Sequence, residues 1–276
     1  MRGRIGATHP KSDLRGEVAQ VPRVCVLVPF AFDEKGLANR RLQQQSVELG
    51  PEMKLDYKPV KAGPALYDSY HDYLLADLSM FEAGLEAADE GYDAICIDTM
   101  SDSGANALRS VLDIPVVTPG KASYLTALML GHKFSVLTQW DGWIPLYKKG
   151  AQEYGLTQHM ASVRSINVMP DVENLLGGKE EVVFPKLRDA GMQCVADGAD
   201  VICLGSTTMH QSHAYLSENL PVPVINPGPL TYKLAETLLA LKLSQSRTAY
   251  PRPNVEKLGM VHAAMAGAAE SEVVAA

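Results

Sequence analysis

Strand-sized apolar runs that alternate with longer amphipathic stretches predict an α/β protein: two duplicated, pseudo-symmetric lobes, each a parallel sheet flanked by helices, with a cleft between them. Two recurrences carry the duplication. Gly91-Tyr92-Asp93-Ala94-Ile95-Cys96-Ile97 returns as Gly198-Ala199-Asp200-Val201-Ile202-Cys203-Leu204. Ile114-Pro115-Val116-Val117-Thr118-Pro119-Gly120 returns as Val222-Pro223-Val224-Ile225-Asn226-Pro227-Gly228. The first strands of the two halves, from Val24 and from Phe134, keep nearly the same spacing. Any two buried strands share apolar letters, but the ordered return of Gly-x-Asp-x-Ile-Cys and Pro-Val-x-x-Pro-Gly needs a repeat.

The elements follow in order. Val24 to Val28, closed by Pro29, is the first strand, and a helix is expected from Gly36 to Leu49. Met53 to Val60 reads as a strand. Leu74, Leu75, Leu78, Phe81 and Leu85 have helical spacing within Tyr70 to Glu90, and Gly91 ends that helix. Ala94 to Ile97 is a strand. A polar turn from Asp98 to Gly104 leads to a helix from Ala105 to Leu112, then a strand from Pro115 to Val117. Pro119-Gly120-Lys121 reads as a turn. In the second half the strands are Phe134 to Leu137, Val163 to Val168, Val201 to Leu204 and Pro223 to Ile225. The helices are Ile144 to Tyr154, Glu180 to Asp197, a stretch ending near Asn219, and Tyr232 to Leu243. The resulting division is a disordered leader over 1–22, one lobe from 23–118 with 226–253, a second from 119–225, and an Ala-rich tail over 254–276 that is either a loose helix or disordered.

Composition narrows the function classes. The chain has 276 residues, 46% of them hydrophobic, and a net charge of -7 with its basic residues scattered. Nothing resembles a nucleic-acid groove or a surface for anionic membranes. No run approaches the roughly 20 apolar residues of a membrane span, and the polar start lacks a secretory core. A cytoplasmic protein is expected. Cys25, Cys96, Cys194 and Cys203 lack metal-ligand spacing and read as reduced core residues. No phosphate loop, dinucleotide fingerprint or zinc motif is present, so no cofactor and no metal is expected.

Chemistry is expected where strands end, because open α/β sheets bind ligands beyond the carboxyl ends of their strands. The two facing tips are Asp98-Thr99-Met100-Ser101 and Gly205-Ser206-Thr207-Thr208. Hydroxyls and free backbone N–H groups before a helix suit a carboxylate or polarised carbonyl, although the same residues are ordinary helix caps. Candidate catalytic residues are Asp98, Thr99, Ser206 and His210. Candidate binding residues are Pro29 and Phe30 after the first strand, Thr138 and Trp140 after its counterpart, and Ser101, Thr207 and Thr208 on the tips. Tyr67, Tyr70 and Lys121 are weaker candidates.

Asp102-Ser103-Gly104-Ala105-Asn106-Ala107-Leu108-Arg109 and Asp197-Gly198-Ala199-Asp200-Val201-Ile202-Cys203-Leu204-Gly205-Ser206 resemble the aspartate, glutamate and hydantoin racemase superfamily, its hydantoin racemase branch above all. The resemblance spans about Val24 to Pro253. It implies a cofactor-independent homo-oligomeric isomerase acting on a small carboxylate or cyclic amide through an enolate-like intermediate. It also implies two cysteines facing across the cleft, at the positions held here by Thr99 and Ser206. A thiol titrates near pH 8.5, whereas an alcohol is far less acidic. Three readings therefore stand: an isomerase with another base, Asp98 or His210; a lyase or hydrolase using Ser206 or Thr99, with His210 or His213 beside Ser206; or a non-catalytic binder of a small acid.

Overall fold

The computed structural model describes residues 21–50, 53–170 and 180–275. The leader expected over 1–22 falls almost wholly outside the described residues. Four strands, β1 (Arg23–Val28), β2 (Lys54–Pro59), β3 (Ala94–Ile97) and β4 (Val116–Val117), form a parallel sheet in the order β2-β1-β3-β4. The second sheet repeats it. β5 (Phe134–Thr138), β6 (Met160–Ser165), β7 (Val201–Leu204) and β8 (Val224–Ile225) run parallel in the order β6-β5-β7-β8.

Alternation along each strand decides what the helices cover. In the first sheet Cys25, Leu27, Ile95 and Ile97 meet Met80, Ala83 and Ala87 of α2 (Tyr70–Asp89) and Leu108 of α3 (Ala105–Val111). Val24, Val26, Val28 and Cys96 point the other way. They meet Leu37 of α1 (Glu34–Arg41) and Tyr232 and Ala235 of α8 (Pro227–Ala240). In the second sheet Leu137, Ile202 and Leu204 pack on α6 (Glu180–Ala196) and α7 (His213–Asn219). Phe134, Val136, Val201 and Cys203 pack on Tyr124 and Ala127 of α4 (Pro119–Leu130) and on α5 (Ile144–Glu153).

Helix α4 follows the last strand of the first sheet yet covers the second, and α8 follows the last strand of the second sheet yet covers the first. The two helices also pack on each other. Each is tied down by a buried thiol: Cys203 Sγ donates to the Ser123 carbonyl of α4, and Cys96 Sγ to the Thr231 carbonyl of α8, both at 3.7 Å.

Several sequence expectations need correction. The turn read at Pro119-Gly120-Lys121 is the first turn of α4, and α8 starts at Pro227 rather than Tyr232. In both, Pro occupies the first helical position, where its missing N–H has no intrahelical partner to lose. The helix expected over 36–49 is α1 followed by a 3-10 turn over Leu42–Ser46, after which Val47 is extended. Strand β6 lies three residues earlier than Val163–Val168, because Asn167 turns into the left-handed region at φ 49° and breaks the extended run. The tail forms a helix, α9 (Leu258–Ala275), against α2. Among the described residues no helix is long and apolar enough to cross a membrane.

Candidate active site

Both strand tips end at one cavity between the lobes, of about 530 Å³ counting the open space at its mouth. Of the residues singled out in the sequence, Pro29, Phe30, Asp98, Thr99, Ser206, Thr207 and Thr208 line it. The hydroxyls repeat across the lobes. Thr99 Oγ1 bonds Ser101 Oγ at 3.1 Å, and Ser206 Oγ bonds Thr208 Oγ1 at 2.8 Å. Ser206 also accepts the Thr208 N–H at 3.2 Å and so caps the 3-10 turn over Thr207–Ser212. The capping role and the cavity role therefore coexist at Ser206.

The floor is charged. Asp98, at the end of β3, is fully buried and pairs with Arg40 of α1 at 3.2 Å. Gln43 Nε2 donates to its Oδ1 at 3.1 Å. Arg40 also donates to Thr207 Oγ1, which in turn donates to the Asp98 carbonyl, each at 3.3 Å. This short circuit joins the first lobe to the second. Burial raises the Asp98 carboxyl above the usual carboxylate range, against the opposing pull of Arg40, Gln43 and Thr207. The Arg40 guanidinium lies 5.6 Å from the ring centres of both Phe30 and Phe32. Its Nε has no hydrogen-bond partner among the described residues.

The remaining wall is apolar: Tyr67, Met100, Trp143, Leu146, Tyr147 and Pro170, with Gln139 and Gly205 completing it. Tyr67 stands edge-on to Phe30 and donates to the Pro29 carbonyl at 3.3 Å. Tyr147 is locked by Thr138, 2.8 Å away, and by donating to the Gly205 carbonyl at 2.7 Å.

Of the principal candidates, Ser101, Thr138, Trp140 and His210 lie outside the described cavity wall, as do the weaker ones Tyr70 and Lys121. Thr138 is behind Tyr147, and Ser101 is behind Thr99. Trp140 packs edge-to-face on Trp143, and Trp143 takes the wall position expected for Trp140. His210 is buried rather than exposed. Burial and the nearby Arg40 charge lower its pKa to about 4. Ser206 is not bonded to it, and His213 Nε2 is turned to the Val224 carbonyl at 3.0 Å. Neither histidine is therefore placed as the base of a serine nucleophile, which needs direct hydrogen-bond reach. Lys121 leans over the Tyr154 ring, and Tyr70 is exposed.

Sequence reading missed Arg40, Trp143, Leu146 and Tyr147 as site residues, since α1 and α5 reach the cleft only through the tertiary fold. In the sequence Arg40 and Arg41 are one of two basic pairs and read as solvated surface, yet Arg40 is buried. The four cysteines are free and buried, and burial raises every thiol, Cys25 to about 12 and Cys194 to about 11. Cys96 and Cys203 thus do not replace thiolates missing from the tips. The described wall offers one carboxylate and no His or Cys, which is no set of metal ligands. Elsewhere Glu82, Glu86 and His262 converge, but the Lys61 ammonium bonds both glutamates, at 2.7 and 2.5 Å.

Residues 39–235 match the family described as Asp/Glu/Hydantoin racemase. A hydantoin racemase from Pseudomonas sp. (strain NS671) is 32% identical over 82% of this chain and 86% of its own. Among solved structures, the allantoin racemase of Pseudomonas fluorescens superposes with a TM-score of 0.75 at 26% identity, over 85% of this chain and 98% of that one. The allantoin racemase from Klebsiella pneumoniae gives 0.76 at 24% identity, over 85% and 95%.

Proposed function

The chain is an isomerase belonging to the Asp/Glu/hydantoin racemase family, and from that premise we propose that it inverts a carbon beside a carbonyl in a small cyclic amide or carboxylate, without a cofactor, in the interlobe cavity. The observation that carries the reading is the convergence of two like tips, Thr99 and Ser206, on one cavity floored by a buried Arg40–Asp98 pair. Removing a proton from such a carbon puts negative charge on the carbonyl oxygen. Backbone N–H groups and hydroxyls fixed at strand ends, in a site walled by Phe30, Tyr67, Trp143 and Leu146, stabilise that charge without having to reorganise. The hydrolytic alternative loses support, because Ser206 shares its hydrogen bond with Thr208 and not with a histidine.

The test is incubation of the protein in deuterium oxide with optically pure hydantoins, allantoin, amino acids and substituted malonates, followed by NMR and optical rotation. Deuterium at the carbon beside the carbonyl with loss of rotation is the expected result. Carbon dioxide release or ring opening would replace the racemase reading by a lyase or hydrolase. Stabilisation by these compounds with no turnover would leave a binding protein.

A further inference from the structure

The thiol-free tips leave the proton acceptor unassigned, and the cavity wall narrows the choice. Thr99 and Ser206 are alcohols already bonded to neighbouring hydroxyls. The Tyr147 hydroxyl is spent on the Gly205 carbonyl, and burial makes it a weaker acid still. His210 lies outside the described wall, and as a neutral imidazole with lowered basicity it takes protons poorly. Asp98 remains. Its two oxygens offer about four lone-pair sites. Arg40 and Gln43 account for three contacts, at 3.2, 3.1 and 3.4 Å, and the longest of these is a second contact from Gln43 Nε2.

We propose that Asp98 takes the proton from the substrate carbon and that Arg40 is the charge left facing the enolate. This rests on the racemase reading above. The step balances. The C–H bond breaks and its electron pair enters the carbonyl π system, leaving an enolate. The proton forms an O–H bond on Asp98, which becomes neutral. Arg40, until then neutralised by Asp98, is left as the countercharge of the new anion, so floor and substrate together keep their total charge. Burial that raises the Asp98 carboxyl also makes its carboxylate a stronger base than one in water.

The assignment has a stereochemical consequence. The wall on the second lobe's side offers the Ser206 and Thr208 hydroxyls, far weaker acids and bases than Asp98, so inversion, in which one of them protonates the carbon and takes a replacement proton from water while Asp98 releases its own, is the slower event. Removal and return then occur mostly on the Asp98 face. One enantiomer exchanges its proton with solvent several times faster than it inverts.

The experiment follows exchange by NMR and inversion by optical rotation in the same deuterium oxide sample, for each enantiomer of allantoin and of 5-benzylhydantoin, with wild-type protein and Asp98→Asn. Expected are wild-type exchange that outruns inversion for one enantiomer only, and a loss of that exchange by about 100-fold or more in the folded variant, the usual weight of a general base. Should Asp98→Asn not fold, the wild-type ratio of exchange to inversion decides alone. Equal exchange and inversion for both enantiomers, or exchange that survives Asp98→Asn, overturns the assignment while leaving the racemase reading intact. Absence of any wild-type exchange removes both.

Discussion

At the scale of single residues, the cavity floor sets the behaviour in acid. His210 is buried beside Arg40, so its protonation is resisted in the fold and free in the unfolded chain. The sign follows from linkage. Between the ordinary value of 6.5 and about 4 the unfolded chain binds the extra proton, so this contribution is full above 6.5 and is lost as pH falls towards 4. The slope is at most about 1.4 kcal/mol per pH unit. Urea unfolding of His210→Gln at several pH values should show a flatter decline across that window than wild type. An unchanged decline would mean that other groups govern it. The tips themselves were legible in the sequence, since hydroxyl-rich turns after apolar strands are a local signal. Arg40 and Trp143 were not, because their roles depend on where α1 and α5 come to rest.

At the scale of elements, Asp102 shows how a loop of one lobe anchors a helix on the other. Its carboxylate accepts the Gly120 and Lys121 N–H groups at 2.7 and 2.8 Å, at the start of α4, and the Tyr154 hydroxyl completes the bond set. Asp102 holds this position with φ at 54°. Asp102→Ala strips the cap and leaves two N–H groups and a half-buried hydroxyl short of partners. A loss of about 2 kcal/mol or more is expected in chemical denaturation. A loss below about 0.5 kcal/mol would show that water takes over the cap. The starts of α4 and α8 were hidden for a related reason. Pro-Gly after a strand has the local chemistry of a turn, and for α4 only the carboxylate waiting 18 residues earlier turns it into a helix start. The close approach of α2 to α3 was likewise invisible, although Gly84 permits it: a Cβ there would sit 2.4 Å from Leu108.

At the scale of the whole molecule, the repeat foretold two like sheets, and both have the same strand order and the same parallel sense. The sequence division grouped 226–253 with 23–118 and 119–225 apart from them, although a repeat in sequence does not by itself say which sheet a trailing helix will cover. The matching thiol contacts at Cys96 and Cys203 show that the crossing of α4 and α8 is itself part of the duplication. Arg40, Asp98 and Thr207 then close the circuit between lobes at the cleft.

That crossing makes the protein a domain-swapped dimer written as one polypeptide. Each half lends the other the helix that follows its last strand, so neither half owns a complete core. Fragments 1–131 and 132–276, cut between Gly131 and His132, should each lack a cooperative unfolding transition alone and regain one when mixed in equal amounts. A cooperative monomer from either fragment would contradict this. Since residues of both halves line the cavity, any turnover by the mixture would report the act of pairing itself.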